Sequence, residues 1–278
     1  MMPPVDPILL KLGPIAIHWY GILVVTGILL GTNIATYLAK QAGEDPENIW
    51  DMLLVAVIFG IIGARAEYVL VQPHWAYYKE NLMEILYIWI GGLRIYGAVL
   101  GGGLGIIIYA VIKHLRPLQL LDFAAPGMAM GHAIGRWGNF INQELYGPPT
   151  ELPWGLYIPI SNRVPPYTDL TRFPESTRFH PAFLYESLAN LALSLVLIWL
   201  SVSYLKKLKE GDILIGYLIG YSIIRFFMDY MRTDGTTAQT IALIFVGLSI
   251  LFLLVRHVIL PHKAQSCLLY TSPSPRDR

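Results

Sequence analysis

Long apolar runs with almost no charge constrain this chain more than any other feature, because roughly 17–25 apolar residues in a helix span a bilayer core. About seven such runs are legible, near residues 15–38, 49–71, 87–112, 120–139, 181–204, 212–230 and 238–260. The fourth is the least apolar, rich in glycine and interrupted by polar side chains. Composition agrees with a lipid solvent. Of 278 residues, 55% are hydrophobic and 14% charged, whereas soluble domains carry about 25% charged residues. So little polar surface would not clothe a soluble body of this size. The expected class is an all-α polytopic membrane protein, one membrane domain over residues 1–262.

Short polar links join most runs, with one exception near residues 140–180. That segment is polar and holds Pro148, Pro149, Pro153, Pro159, Pro165, Pro166 and Pro174, which disfavour long helices. Within it WGLYIPI (154–160) suits a short strand. The segment reads as a small arm or head at the membrane surface; an unstructured loop is the alternative. Basic residues in short loops orient a membrane protein. Lys40, Lys113, Arg116, Lys206, Lys207, Lys209, Arg256 and Lys263 would share one side, against Lys11, Lys79 and Arg232 on the other. The first side is expected to be cytoplasmic, with the N-terminus and the arm outside.

The start, MMPPVDPILLKLG, lacks the pattern of a cleaved signal peptide. Residues 263–278 do not continue the membrane pattern and are expected to be disordered or a non-native extension. Cys267 is the one cysteine, so no intrachain disulfide is expected. A net charge of +1 gives no field that would attract nucleic acid.

A charge inside a membrane helix costs about 2.5–3.5 kcal/mol on insertion scales, so such residues are functional candidates. Here their depth is informative. If the runs alternate in direction, Tyr20, Arg65, Glu67, Arg94, Tyr96, His132, Arg136, Asn139, His180, Tyr185, Glu186, Arg225 and Asp229 all fall towards the outer ends of six runs. The inner halves are nearly free of charge. A transmembrane ion path needs polar groups at several depths; a lipid head-group site needs them at one. Snorkelling would account for any one of these side chains.

Spacing sharpens the pattern. His132, Arg136, Asn139 and Gln143 share a helix face if the fourth run remains helical that far. Arg225, Asp229 and Arg232 share another, and Asp229 is spaced to pair with Arg225, either to hold a binding arginine or as a structural ion pair. Guanidinium suits bidentate phosphate binding, so two arginine-bearing faces at head-group depth point to an anionic phospholipid. Gly127, Gly131 and Gly135 recur every four residues, as do Gly97, Gly101 and Gly105 and the pair Gly216 and Gly220. Small residues at that spacing permit close helix packing. A transporter or channel would require polar inner halves or paired inverted repeats, and neither is evident.

The segment GRWGNFINQELYG (135–147) resembles the signature of the phosphatidylglycerol–prolipoprotein diacylglyceryl transferase family, on Arg136, Gly138, Asn139, Asn142, Glu144 and Gly147. HWYG (18–21), GGLRIYGAVLGG (91–102), HPAFLYE (180–186) and IRFFMDYMR (224–232) are similar to further segments of that family. The resemblance runs over roughly residues 10–260. Two positions depart from it: Tyr96 stands where the family often has a histidine, and Asp229 where it often has glutamate.

The resemblance implies transfer of a diacylglyceryl group from phosphatidylglycerol to the lipobox cysteine of a prolipoprotein signal peptide, at the bacterial plasma membrane. The thiol nucleophile belongs to the substrate, and no cofactor or metal is required. Arg136 and Arg225 would bind the phosphate and the developing leaving group. Asn139, Tyr20, Glu144 and Asp229 would contact or orient the head group. Tyr96 and His180 are further catalytic candidates. The tyrosines also suit an interfacial aromatic belt, and His180–Pro181 also suits a helix start. His180, Glu186, His132 and Tyr96 all remain candidates for the base that takes the thiol proton.

Overall fold

The computed structural model describes residues 6–13, 15–71, 73–204, 207–231 and 238–259. Lys206, Arg232, Lys263, Cys267 and the tail 263–278 lie outside the described residues.

The chain opens with an antiparallel hairpin of β1 (Ile8–Leu12) and β2 (Ile15–His18). The apolar run read as helical from residue 15 therefore begins as strand. Gly13, at φ +61°, folds it back onto β1. Helix α1 (Trp19–Gln41) follows, then α2 (Glu47–Leu70), the short α3 (His74–Tyr78) and two 3-10 turns at Leu82–Leu86 and Ile88–Ile90. Helix α4 spans Ile95–Ile112. The third run, read as helical from residue 87, is interrupted by Gly91 and Gly92, which adopt φ +91° and +75°. Helix α5 (Pro117–Asn142) leads into the proline-rich segment with β3 (Leu156–Tyr157) and β4 (Arg178–Phe179). Helices α6 (Ala182–Ser203), α7 (Asp212–Met231) and α8 (Ala238–Leu254) complete the bundle, the last running into a π-helical turn at Val255–Ile259.

Among the described residues, five helices are long and apolar enough to cross a membrane: α1, α2, α4, α6 and α7. Helix α5, with 26 residues, has the length (about 39 Å at 1.5 Å per residue). It falls short in composition, because Gln119, Asp122, His132, Arg136, Asn139 and Asn142 dilute its apolar residues. Helix α8 is apolar but has 17 residues. Large apolar side chains such as Ile62, Leu100, Leu195 and Leu251 point outward, as lipid-facing surface requires.

Helix α1 packs on α5, α2 on α4, α6 against α5 and α7, and α8 on α7. Glycines set two of these seams. A Cβ on Gly31 would lie 2.7 Å from the carbonyl oxygen of Gly127, and one on Gly27 3.2 Å from the Cα of Gly131. The α2–α4 seam brings Gly63 against Gly97 and Gly101. Gly135 is different: nothing lies near its missing Cβ, so it belongs to no seam.

At one end of the bundle the proline-rich segment builds its own core. Phe140 and Phe183, from the ends of α5 and α6, join Tyr146, Leu156, Ile158 and Phe179. Buried Arg163 donates to the carbonyls of Ile158, Phe173, Pro174 and Glu175. Val164 N–H donates to the Tyr146 hydroxyl at 2.6 Å; burial pushes that hydroxyl above the usual phenol range, so it stays protonated. At the opposite end Arg116 joins Glu44 and Glu210 at 2.7 and 2.8 Å. Asp122 of α5 accepts the backbone N–H groups of Gly211 and Leu214 at the start of α7.

Candidate active site

The polar residues of separate helices meet beneath the arm. Helix α5 presents Arg136 and Asn139 in its last two turns, on one face. The helix then stops, because Gln143 adopts a left-handed cap at φ 56°, ψ 39°. Gln143 is therefore not a fourth member of that face. The turn carries Glu144 back: its N–H donates to the Asn139 carbonyl at 3.0 Å, and its carboxylate accepts the side-chain amides of Asn139 and Asn142 at 2.8 and 3.3 Å.

Across from α5, Glu186 in the second turn of α6 is 3% exposed. Its Oε1 accepts Arg136 Nη2 at 2.6 Å and lies 3.8 Å from Arg225 Nη1 of α7. Arg136 Nη1 also donates to Asn139 Oδ1 at 3.3 Å. The two arginine side chains are each 15% exposed. Three helices thus gather two guanidinium groups around one buried carboxylate. A guanidinium has five N–H donors, so Arg136 retains donors beyond those committed to Glu186 and Asn139. Asp229 stands one turn beyond Arg225 on α7.

Other candidates fall around this cluster. The ring of Tyr20, at the start of α1, packs against Gly138, where any Cβ would strike it. His180 Nδ1 lies 3.1 Å from the Tyr185 hydroxyl, whose oxygen accepts Trp154 Nε1–H at 2.9 Å. The backbone around His180 is tied to the turn after α5: Gly147 N–H donates to the His180 carbonyl at 2.9 Å. A Cβ at Gly147 would meet His180 Cβ at 2.8 Å and the Met231 carbonyl at 2.9 Å, so this glycine lets the end of α7 approach the arm. His132, one turn below Arg136, packs against Tyr221 with ring centroids 4.8 Å apart.

Tyr96 reaches the same end but not the cluster. It lies in the first turn of α4 and is 66% exposed. Among the described residues no hydrogen bond joins it to Arg136, Arg225 or Glu186. Arg65 and Glu67 are committed to structure. Arg65 donates to the carbonyls of Glu84, Ile85, Gly91 and Gly92 and to the Tyr78 hydroxyl. Glu67 accepts the Gly97 N–H at 2.5 Å and lies 3.9 Å from Arg94.

Sequence reading gave Glu186 a place only among possible bases and missed its position between both arginines. The available signal was an acidic residue near the start of an apolar run, where a lone carboxylate needs a cationic partner from another helix. Trp154, Trp137 and Ser187 were not singled out at all. Trp137 Nε1–H donates to Ser187 Oγ at 3.2 Å, and Ser187 donates to the Ala133 carbonyl at 2.7 Å, tying α6 to α5 beside the cluster. Among the described residues no cluster of His, Cys, Asp and Glu has the arrangement of a metal site.

Comparison with known proteins identifies the family. A relative from Synechococcus elongatus, a phosphatidylglycerol–prolipoprotein diacylglyceryl transferase, is 41% identical over 254 residues, 88% of this chain and 85% of its own length. Enzymes of the same name from Trichormus variabilis and Staphylococcus epidermidis are 43% and 38% identical, over 82% and 91% of this chain and 79% and 90% of their own lengths. The sequence profile of prolipoprotein diacylglyceryl transferases matches residues 7–255, from the N-terminal hairpin to the end of α8. With that match over nearly the whole bundle, and its signature segment forming the α5 side of the arginine cluster, the chain belongs to the prolipoprotein diacylglyceryl transferase family.

Proposed function

We propose that this protein transfers the sn-1,2-diacylglyceryl group of phosphatidylglycerol to the lipobox cysteine of prolipoproteins. The convergence of Arg136 and Arg225 on Glu186 carries the reading. A phosphodiester is a monoanion; it becomes a phosphate monoester with more negative charge when its carbon–oxygen bond breaks. Guanidinium donors fixed beforehand stabilise that developing charge more than they stabilise the ground state. The substrate thiolate attacks the glyceryl carbon that bears the phosphate, a carbon–sulfur bond forms, and glycerol 1-phosphate departs with the electron pair of the broken bond.

The buried Glu186 carboxylate keeps two like-charged guanidinium groups together and is committed to them, which leaves the base to another group. In our reading His180 takes the thiol proton. The tautomer this role requires carries its proton on Nδ1, towards the Tyr185 oxygen 3.1 Å away, and keeps the lone pair on Nε2. Asn139 and Glu144 orient Arg136 and the head group, Tyr20 closes the α1 side, Asp229 supports Arg225, and Tyr96 donates a hydrogen bond from the rim of α4.

The proposed setting is the bacterial plasma membrane. Residues 1–262 form one domain of seven crossings, with α5 and α8 added to the five apolar helices. The N-terminus and the 140–180 arm face outward and the C-terminal end faces the cytoplasm. The excess of lysine and arginine at the Arg116 end supports that orientation.

The test is purified protein, phosphatidylglycerol and a lipobox peptide, with mass spectrometry of the peptide. The mass of a thioether-linked diacylglyceryl group is expected. Arg136→Ala should lower the rate by at least about 100-fold while the protein still inserts. Full activity of that variant would overturn the assignment.

A further inference from the structure

Below the arginine layer lies a second layer that the proposed chemistry leaves unused. His132 precedes Arg136 by four residues on α5, and Tyr221 precedes Arg225 by four on α7. Each therefore lies on the face of its arginine, about 6 Å deeper. The two meet across the same helix interface, with ring centroids 4.8 Å apart. Tyr217, a further turn down, stacks on Tyr221 at 5.8 Å and lies 6.5 Å from His132, closing the floor.

We infer that His132 and Tyr221 read the ester groups of the diacylglyceryl unit and so select diacyl lipid. The inference rests on the phosphate being held by Arg136 and Arg225. In a glycerophospholipid the ester carbonyls lie a few ångströms from the phosphate, towards the acyl chains. One helical turn below the phosphate layer is that depth. The chemistry also fits. An ester carbonyl only accepts hydrogen bonds, and a tyrosine hydroxyl and an imidazole N–H both donate. The His132 ring is partly buried, yet among the described residues neither of its nitrogens has a hydrogen-bond partner. Phenylalanine would serve equally well as a wall, but it offers no donor.

The experiment compares two donors with the purified protein and a lipobox peptide: diacyl phosphatidylglycerol, and its dialkyl ether analogue, which lacks both carbonyls. His132→Phe and Tyr221→Phe keep the aromatic stack and remove the donors. Each is expected to lower kcat/KM on the diacyl lipid by about five- to tenfold, the effect of one hydrogen bond, and to leave the slower ether reaction unchanged. His132→Gln, which keeps a donor, should retain most of the preference for diacyl lipid. Equal losses on both donors would make the pair a structural wall and overturn the inference, as would no loss on either. If wild-type protein transfers nothing from either donor, the reading of Arg136 and Arg225 as phosphate ligands fails first.

Discussion

Replacing Glu186 by glutamine tests whether one carboxylate assembles the site. The Arg136 Nη2 to Glu186 Oε1 contact is 2.6 Å, in surroundings that leave Glu186 3% exposed. Arg225 lies 3.8 Å from the same oxygen. Removing one partner of a buried ion pair costs about 3–5 kcal/mol, because the remaining charge is left uncompensated. Glutamine preserves shape and one acceptor for Arg136, so the low end, about 3 kcal/mol of stability, is expected. The larger consequence is positional. Without the carboxylate, two guanidinium groups repel, and a displacement near 1 Å at a reacting centre costs on the order of 100-fold in rate. Initial rates of peptide lipidation in nanodiscs, with thermal melts of the same preparations, would measure both quantities. The pH–rate profile separates roles. A lost tether lowers the profile and keeps its shape, whereas a lost base removes the limb that the base controls. A variant that melts like wild type and stays within about threefold in kcat/KM, well under 1 kcal/mol, would refute the reasoning.

Three further outcomes follow from contacts elsewhere. Arg163→Ala removes a buried guanidinium bonded to four carbonyls of the arm; at about 1.5–3 kcal/mol for charged hydrogen bonds, limited proteolysis should accelerate between residues 150 and 178 while the helices stay protected. Gly31→Val forces apart a seam in which even a Cβ would sit 2.7 Å from the Gly127 carbonyl oxygen; overpacking of this kind costs about 1–3 kcal/mol, visible as a lower melting temperature, while the same change at Gly135, where space is open, should be tolerated. Tyr96→Phe should lower transfer by about five- to tenfold if its hydroxyl bonds the substrate, and kinetics indistinguishable from wild type would assign the ring to the interfacial belt.

Which parts were legible in the sequence follows from the range of the forces involved. Low charge and long apolar runs are local properties, and they indicated helical membrane crossings before any coordinates. Periodicity of four marked Gly127 and Gly131, and those residues do meet Gly31 and Gly27 of α1; nothing local distinguished them from Gly135. Element ends were misread where special backbone geometry intervened. Gly13 turns residues 15–18 into strand, Gly91 and Gly92 delay α4, and the left-handed Gln143 ends α5 before a fourth polar residue joins its face. The fourth run does form a helix, and its polar residues keep α5 out of the set of clearly apolar helices.

By itself the sequence determined the solvent, the helical class and, through GRWGNFINQELYG, the family, because each depends on residues close together in the chain. Only the tertiary structure decided which of the charges near this end of the bundle act together. Arg136 and Glu186 are 50 residues apart, and neither helix records the other in its own periodicity. Packing of α5, α6 and α7 sets Glu186 between two arginines, while packing of α2 on α4 commits Arg65 to backbone carbonyls. In an apolar medium a buried charge must find a partner; the fold gives Arg136 and Arg225 one shared carboxylate and gives Arg65 backbone carbonyls.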